Sequence, residues 1–578
     1  VTCCTATGAG VPFQDSSLAA GGLDARTNYA TFANVVGVPP LSQSAANYLA
    51  YLRGDRSKEL SQVNGVYRNR TWLLGDIVNS KVNAVGPPEP RFNESTNPGF
   101  TAYRVANASR KAVVYVGAND GMLHAFDGSI PPATGGGAEL FAYVPSFLYG
   151  TATSGPLTGL ASLGTPTFTH HYLVDQTPVV YDIDLARTNG ASGTPNWRSM
   201  LIGGLGKGGK GYFAIDVTDP SLWTSEAAVA SKVKWEFTDP DMGNSYGPAN
   251  VYKTKKYGWV VVFTSGYNNV DGVGYIFIVD PATGTLLEKI STGFGSVTQQ
   301  SGLTHAIGYA QDLSDGTVDA IYAGDLFGNV WRFDVGGTGS YPAPEKIAEL
   351  RDPSGQPQPI TTAPLIEIQP STQKRYVLIG TGRLLDPSDV ASAQVQSFYA
   401  IADGNVDKFY TASTLPAGVS FPIHRSNMNA NTNLLLGIGA APSNPLGWYF
   451  DLSYTSNGAS ERINVNPVAN YGFVVFAANL PNGDACNPSG TNRVFGLNIG
   501  TGQSLLRVGG VGTAKIPFST KFDGLVTDLG LLSTNGGTGQ DTTALIGTNK
   551  GQTGQLDYDT NGGTGTTKLN WRELPTAD

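Results

Sequence analysis

The segment QDLSDGTVD, residues 311–319, places several oxygen donors on a short polar loop around a glycine. A hard cation such as Ca²⁺ collects roughly six to eight oxygens, and a glycine lets the chain turn tightly enough to offer them. Asp315, Gly316 and Asp319 fall at the fifth, sixth and ninth positions of an EF-hand-like loop. Thr317 offers its carbonyl, and Asp312 and Ser314 lie within reach. All of these donors are oxygens, and neither His nor Cys stands near them in sequence, so the chemistry expected is Ca²⁺ rather than Zn²⁺ binding. The competing reading is an acidic β-turn that holds no metal.

Two other segments carry suggestive residue types. In YNNVDGVGY, residues 267–275, Asn268, Asn269 and Asp271 could ligate Ca²⁺, but Asn-Asn and Asp-Gly are also ordinary hairpin residues, and that reading is the stronger. Arg53-Gly54-Asp55 could bind an integrin from an exposed loop. Here it follows a predicted helix that Gly54 would end, which favours a structural role. The histidines, His124, His170, His171, His305 and His424, are scattered, and His170 and His171 as strand neighbours would point to opposite faces. No GxSxG, HExxH, CxxC or Walker pattern occurs, and nothing pairs a nucleophile with a base, so no enzyme is expected.

The elements that must position these residues repeat. VVYVGANDGMLHAFD (113–127) and AIYAGDLFGNVWRFD (320–334) are each an apolar strand, a Gly-rich turn and a second strand ending on Asp127 or Asp334. Weaker copies lie at 201–216, 262–280 and 376–385, with two more at 473–480 and 544–559. A unit recurring about every 55–95 residues predicts radially repeated sheets, each burying its faces on its neighbours. The fold class expected is all-β, a modified β-propeller of about seven blades over residues 105–578. Residues 1–104 would form a short, partly helical lead-in. Within it, residues 1–40 read as a linker or an extended lead-in, and Leu41, Ala45, Tyr48, Leu49 and Leu52 have helical spacing. The polar stretch 403–446 reads as an insertion between blades, and TTKLNWREL (566–574) as a last strand.

Composition agrees with this outline. The 74 Gly and 35 Pro among 578 residues suit many short strands and tight turns. Charged residues are only 14%, a pattern that suits a secreted or surface protein, and a net charge of -8 without a basic run argues against nucleic acid as a partner. No run of about 20 apolar residues exists to make a transmembrane helix. With Cys3, Cys4 and Cys486, one long-range bridge from Cys3 or Cys4 to Cys486 is conceivable, as are unpaired thiols. The chain starts at Val1, and reads as a trimmed C-terminal portion of a longer exported protein.

Six phrases taken in order carry a family resemblance: YLRGDRS (51–57), LLGDIVNS (73–80), VVYVGANDGMLHAFDG (113–128), GGLGKGGKGYFAIDVTDP (203–220), DAIYAGDLFGNVWRFD (319–334) and GWYFDL (447–452). Over roughly residues 40–574 the chain resembles the C-terminal domain of PilC/PilY-type type IV pilus tip adhesins. The resemblance implies a modified β-propeller at an extracellular pilus tip. It also implies roles in pilus assembly, retraction control and attachment, with minor pilins and a host or abiotic surface as partners. It further implies a Ca²⁺ loop of DxDxDxxxD type at 311–319. This sequence departs from that pattern: Asp312 sits one residue too close to Asp315, and an ungapped alignment puts Gln311 first and Leu313 third. Two other readings share the strand–turn–strand pattern. A pyrroloquinoline-quinone propeller dehydrogenase would also show phrases such as VDPATGTLLEKI (279–290), and some carry adjacent cysteines, but Cys3-Cys4 lies in the lead-in and no regular Trp docking motif recurs. An outer-membrane assembly scaffold could use the same blades.

Overall fold

Each repeated phrase supplies central strand material to one antiparallel sheet. The computed structural model describes the chain except residues 6–7, 21–28, 39–40, 131–133, 151–156, 187–192, 313–314, 432–445, 457, 484–488, 507–514, 537–538 and 559–578. VVYVGANDGMLHAFD folds as Val113–Ala118 and Met122–Asp127, with Val113 opposite Asp127 and Ala118 opposite Met122. Asn83–Val85 on one side and Glu139–Tyr143 on the other complete the four strands of blade 1. Blade 2 runs from Val179–Asp184 to Val233–Phe237, blade 3 from Asn250–Thr254 to Leu286–Ser291, and blade 4 from Thr304–Tyr309 to Glu345–Glu349, with four strands each. Blade 5 starts at Leu365–Ile368 and has five strands. Blade 6 (Val468–Asn470 to Gly490–Asn498) and blade 7 (Val526–Gly536 to Thr553–Tyr558) have three each.

The first strands of blades 1 and 2, 3 and 4, 5 and 6, and 6 and 7 touch one another, as inner strands around a propeller axis do. Central strands are buried on both faces, because a blade is covered by a neighbour on either side. In Gly258–Thr264 every residue is buried, so the sequence there is a continuous apolar run instead of an alternating one. Apolar clusters join blades 2 and 3, 3 and 4, 4 and 5, 5 and 6, and 6 and 7. The molecule is thus an all-β modified propeller of seven blade sheets, with one further two-stranded sheet, Thr455–Ser456 and Ala459–Ser460, among the described residues.

Aspartates at strand ends make the turns. Asp127 accepts from the backbone N–H of Ser129, Asp216 from that of Thr218, and Asp280 from that of Ala282, at 3.0, 3.1 and 2.8 Å. Each is a local Asx turn that starts the next connection. Gly121, at φ +89°, sits where a Cβ would meet Leu160 at 2.5 Å.

Several expectations change. The propeller starts ahead of residue 105, since Asn83–Val85 pairs with Val113–Tyr115. Residues 1–40 are no loose linker: Tyr29–Gly37 is helical, and Phe32, Val36, Cys3 and Cys4 are buried in one cluster with blade 1. Cys3 and Cys4 form a disulfide with each other, and Cys486 lies outside the described residues. The predicted helix is Ala45–Leu52, started by the Ser44 side chain accepting the Asn47 N–H. The 403–446 stretch falls inside blade 5, not between blades, because Ser397–Asn405 pairs directly with Gly447–Asp451. The expected strand at 566–574 lies outside the described residues.

Candidate functional site

The 311–319 loop joins Thr304–Tyr309 to Ala320–Gly324 in blade 4. Gly316 has φ +67°, so the turn expected of it is there. Asp315 Oδ1 accepts the Thr317 N–H at 2.8 Å, the same Asx turn used at the strand ends. Asp319 Oδ2 accepts the Gln311 N–H at 2.8 Å, while its Oδ1 lies 3.2 Å from the Lys255 ammonium. Thr317 is buried and bridged to Lys253, whose carbonyl accepts the Val318 N–H at 2.8 Å. Asp312 is exposed; Ser314 lies outside the described residues.

Asp312, Asp315 and Asp319 do not gather their carboxylate oxygens at one point. Among the described residues, the three donor atoms found within 4.8 Å of one another belong to Cys3, Cys4 and Glu236, not to Asp312, Asp315 and Asp319. That group is committed elsewhere: the cysteines are bonded to each other, and Glu236 accepts the Tyr143 hydroxyl at 2.6 Å and the Ser146 N–H at 2.7 Å. In the 311–319 loop the Asp319 oxygens are taken by an amide and an ammonium, and a second ammonium stands behind Asp315. Lys253, buried, donates to the Thr96 carbonyl at 2.8 Å and reaches Asn97 Oδ1 and the Asp315 carbonyl at 3.4 Å each. Burial lowers the Lys253 pKa, and the nearby Asp315 and Asp184 work against that.

The 267–275 turn is likewise built from its own side chains. Asp271 Oδ1 accepts the Val273 N–H at 3.0 Å and Oδ2 accepts the Tyr275 hydroxyl at 2.6 Å. Asn269 donates to the Val273 carbonyl at 2.8 Å, and Asn268 takes the left-handed φ of +60°. Arg53, though exposed, meets Glu226 at 2.7 Å and donates to the Phe13 carbonyl at 3.1 Å. Asp55 accepts the Ser57 N–H at 2.7 Å, so both charges have partners within the chain.

One surface went unforeseen in sequence. Trp72, Leu73, Leu74, Ile77, Val78 and Val82 are all exposed, Trp72 to 81%. The backbone beneath them is pinned. Gly75 N–H donates to Asp120 at 2.7 Å, Asn79 N–H to Asp175 at 3.2 Å, Lys81 N–H to Thr177 Oγ1 at 2.9 Å, and the Asp76 carbonyl accepts the Asn119 N–H at 3.0 Å. These polar contacts, with Asn119 and Asp175 buried, hold the segment across the turns of blades 1 and 2 while its apolar side chains face water. The apolar run LLGDIV was visible, but an apolar residue ordinarily signals core, and only the tertiary anchors show that these point outward. Elsewhere, a cavity of about 410 Å³ at blades 6 and 7 is lined by Tyr454, Arg493, Phe518 and Phe522, among others. The Arg493 charge is met there by Glu461, through Nε at 2.9 Å and through a second, shorter contact.

The fold is that of a modified β-propeller, and it carries an outward apolar strip beside turn-forming aspartates. Residues 74–420 match the model of the PilY1 beta-propeller domain, and the chain belongs to that family. It is 30% identical over 570 residues to a type IV pilus biogenesis factor PilY1 homolog of Xylella fastidiosa, covering 93% of this chain and 42% of that protein. It is 30% identical over 510 residues to the type IV pilus biogenesis factor PilY1 of Pseudomonas aeruginosa strain PAK, covering 78% and 40%. The chain therefore spans about two-fifths of these curated relatives. The crystal structure of the P. aeruginosa PilY1 C-terminal domain superposes with a TM-score of 0.60 at 25% identity, covering 82% of this chain and 99% of that one. Among the described residues no helix is long and apolar enough to cross a membrane.

Proposed function

We propose that this chain is the propeller part of a type IV pilus biogenesis factor, working outside the cell at the pilus tip by binding and not by catalysis. Its partners are minor pilins and, for attachment, a host or abiotic surface. The names of its relatives support the pilus setting. The observation that carries the binding role is the strip Trp72–Val82, an apolar surface held rigidly on the rim of the molecule. Contiguous exposed apolar patches of this kind mark contact sites in soluble proteins. Assembly and retraction control would then run through this contact.

The experiment is co-purification of the chain with each minor pilin of its own organism, in wild-type form and with Trp72→Ser and Ile77→Ser. The wild type should retain a pilin. The variants should lose it while keeping their unfolding temperature, because the side chains removed are already solvated. Retention undiminished by both substitutions would move the contact elsewhere, and failure of the folded wild type to bind any pilus component would sink the reading.

A further inference from the structure

We propose that Lys253 and Lys255 are built-in cations for residues 315–319, so that this part of the loop keeps its fold without a divalent metal. Two parts of the chain bring oxygens to the buried Lys253 ammonium: the Thr96 carbonyl at 2.8 Å and Asn97 Oδ1 at 3.4 Å from one, and the Asp315 carbonyl at 3.4 Å from the other. Oxygens drawn from separate segments onto one central charge are what a bound Ca²⁺ would collect. Lys255, two residues on and 46% exposed, places its ammonium 3.2 Å from Asp319 Oδ1. The inner strand of blade 3 and the residue just after it thus place two positive charges along the edge of the loop. The charged groups facing them are Asp315 and Asp184 at Lys253 and Asp319 at Lys255.

A divalent cation entering here would have to displace Lys255 from Asp319. It would also have to sit near the like charge of the buried Lys253, where repulsion is less screened than in water. The shortened loop and the lysines explain each other: with fewer carboxylates there is less charge to neutralise, and two ammonium groups are enough. The order that Ca²⁺ would confer conditionally is permanent, and any pilus role of the chain is not switched at this loop by Ca²⁺. The inference rests on loop geometry, so its failure would leave the pilin-binding reading standing, and failure of pilin binding would leave the loop result unchanged.

The test uses the whole chain and CaCl₂ alone, with MgCl₂ as a charge control. Thermal unfolding is measured in EDTA and in excess Ca²⁺, and amide hydrogen exchange is followed across residues 315–319. In the wild type the unfolding temperature should agree between EDTA and Ca²⁺ to within about 1 °C. Exchange at Thr317 and Val318 should agree within about twofold. Lys253→Met should speed exchange at these amides about tenfold or more, with Ca²⁺ failing to restore it. Should Lys253→Met not fold, Lys255→Gln carries the same expectation at the exposed end of the loop, with a smaller acceleration. The proposal is overturned if Ca²⁺ but not Mg²⁺ raises the wild-type unfolding temperature and Asp319→Asn abolishes the rise. Exchange unchanged in both lysine variants would overturn it equally.

Discussion

His124 in blade 1 has Asp120 Oδ2 at 3.1 Å from Nε2 and Glu139 Oε1 at 2.6 Å from Nδ1. Burial alone would push its pKa down, but the two carboxylates outweigh it and hold the imidazolium up to about 9. The folded chain therefore keeps a proton that the unfolded chain gives up above about pH 6.5. The stabilisation is complete below that value and is lost as pH rises through about 9. Because Glu139 is half exposed, it amounts to something on the order of 2 kcal/mol. A denaturant midpoint measured from pH 6 to 10 should fall across this window, and His124→Gln should flatten the fall. A slope unchanged in the variant would assign the effect to other groups. His305 acts in the opposite sense. Burial lowers it to about 4, and its Nδ1 has no partner among the described residues, so its contribution is present above about pH 6.5 and fades as pH falls toward 4. At this scale the sequence misled in one consistent way. Asp315 and Asp271 have the composition of ligands, yet each spends an oxygen on an amide two residues ahead. Asx turns and metal loops draw on the same residues, and only three-dimensional convergence separates them.

Between blades 4 and 5 a buried ion pair ties two elements together. Arg332 gives both contacts of its Nη1 to Asp403, at 2.7 and 2.9 Å, while Asp403 also accepts the Tyr322 hydroxyl at 2.7 Å. Neither side chain is more than 3% exposed. Alongside, Arg375 lies over the rings of Tyr309 and Phe409 at 4.4 and 4.0 Å. Asp403→Ala would strip the buried Arg332 Nη1 of its carboxylate, leaving only Asp334 at Nε (2.9 Å) and the Tyr410 carbonyl at Nη2 (3.1 Å), and should cost about 3 kcal/mol in a denaturant titration. Arg332→Met with Asp403→Leu together should recover much of that loss. A loss under about 1 kcal/mol for Asp403→Ala would mean that water reaches the pair. The blades themselves were legible: the phrases at 113–127 and 320–334 coincide with strand pairs at both ends. They could be read because strand, Gly turn and strand are encoded locally. The Arg332–Asp403 pair spans 71 residues, and no local pattern announces it. The same limit hid the partner strand Gly447–Asp451, separated from Ser397–Asn405 by a long insertion.

Across the whole ring the interfaces differ in kind. Successive blades from 2 to 7 share apolar clusters, whereas blade 7 meets the approach to blade 1 through Lys81 and Asp528 at 2.5 Å, both more than half exposed. On blade 7, Asp528 and Leu532 lie on one strand face, and Leu545 stands opposite Gly530 between them. Leu532 and Leu545 are exposed, so among the described residues this face of the sheet is less covered than the faces of the middle blades. An exposed ion pair contributes about 0–1 kcal/mol and weakens with salt, far less than a buried apolar cluster. Local opening follows the elements with the fewest buried apolar contacts. Blade 7 should therefore open first. Its amides in Val526–Gly536 should exchange well before those of Gly258–Thr264 in blade 3 or Ala320–Gly324 in blade 4. Lys81→Ala should change global stability by less than about 1 kcal/mol while speeding exchange in blade 7 alone. Hydrogen-exchange mass spectrometry on the wild type and this variant tests both statements. Uniform exchange across the seven sheets would show that the seam is as firm as the other interfaces, and that the ring unfolds as one unit.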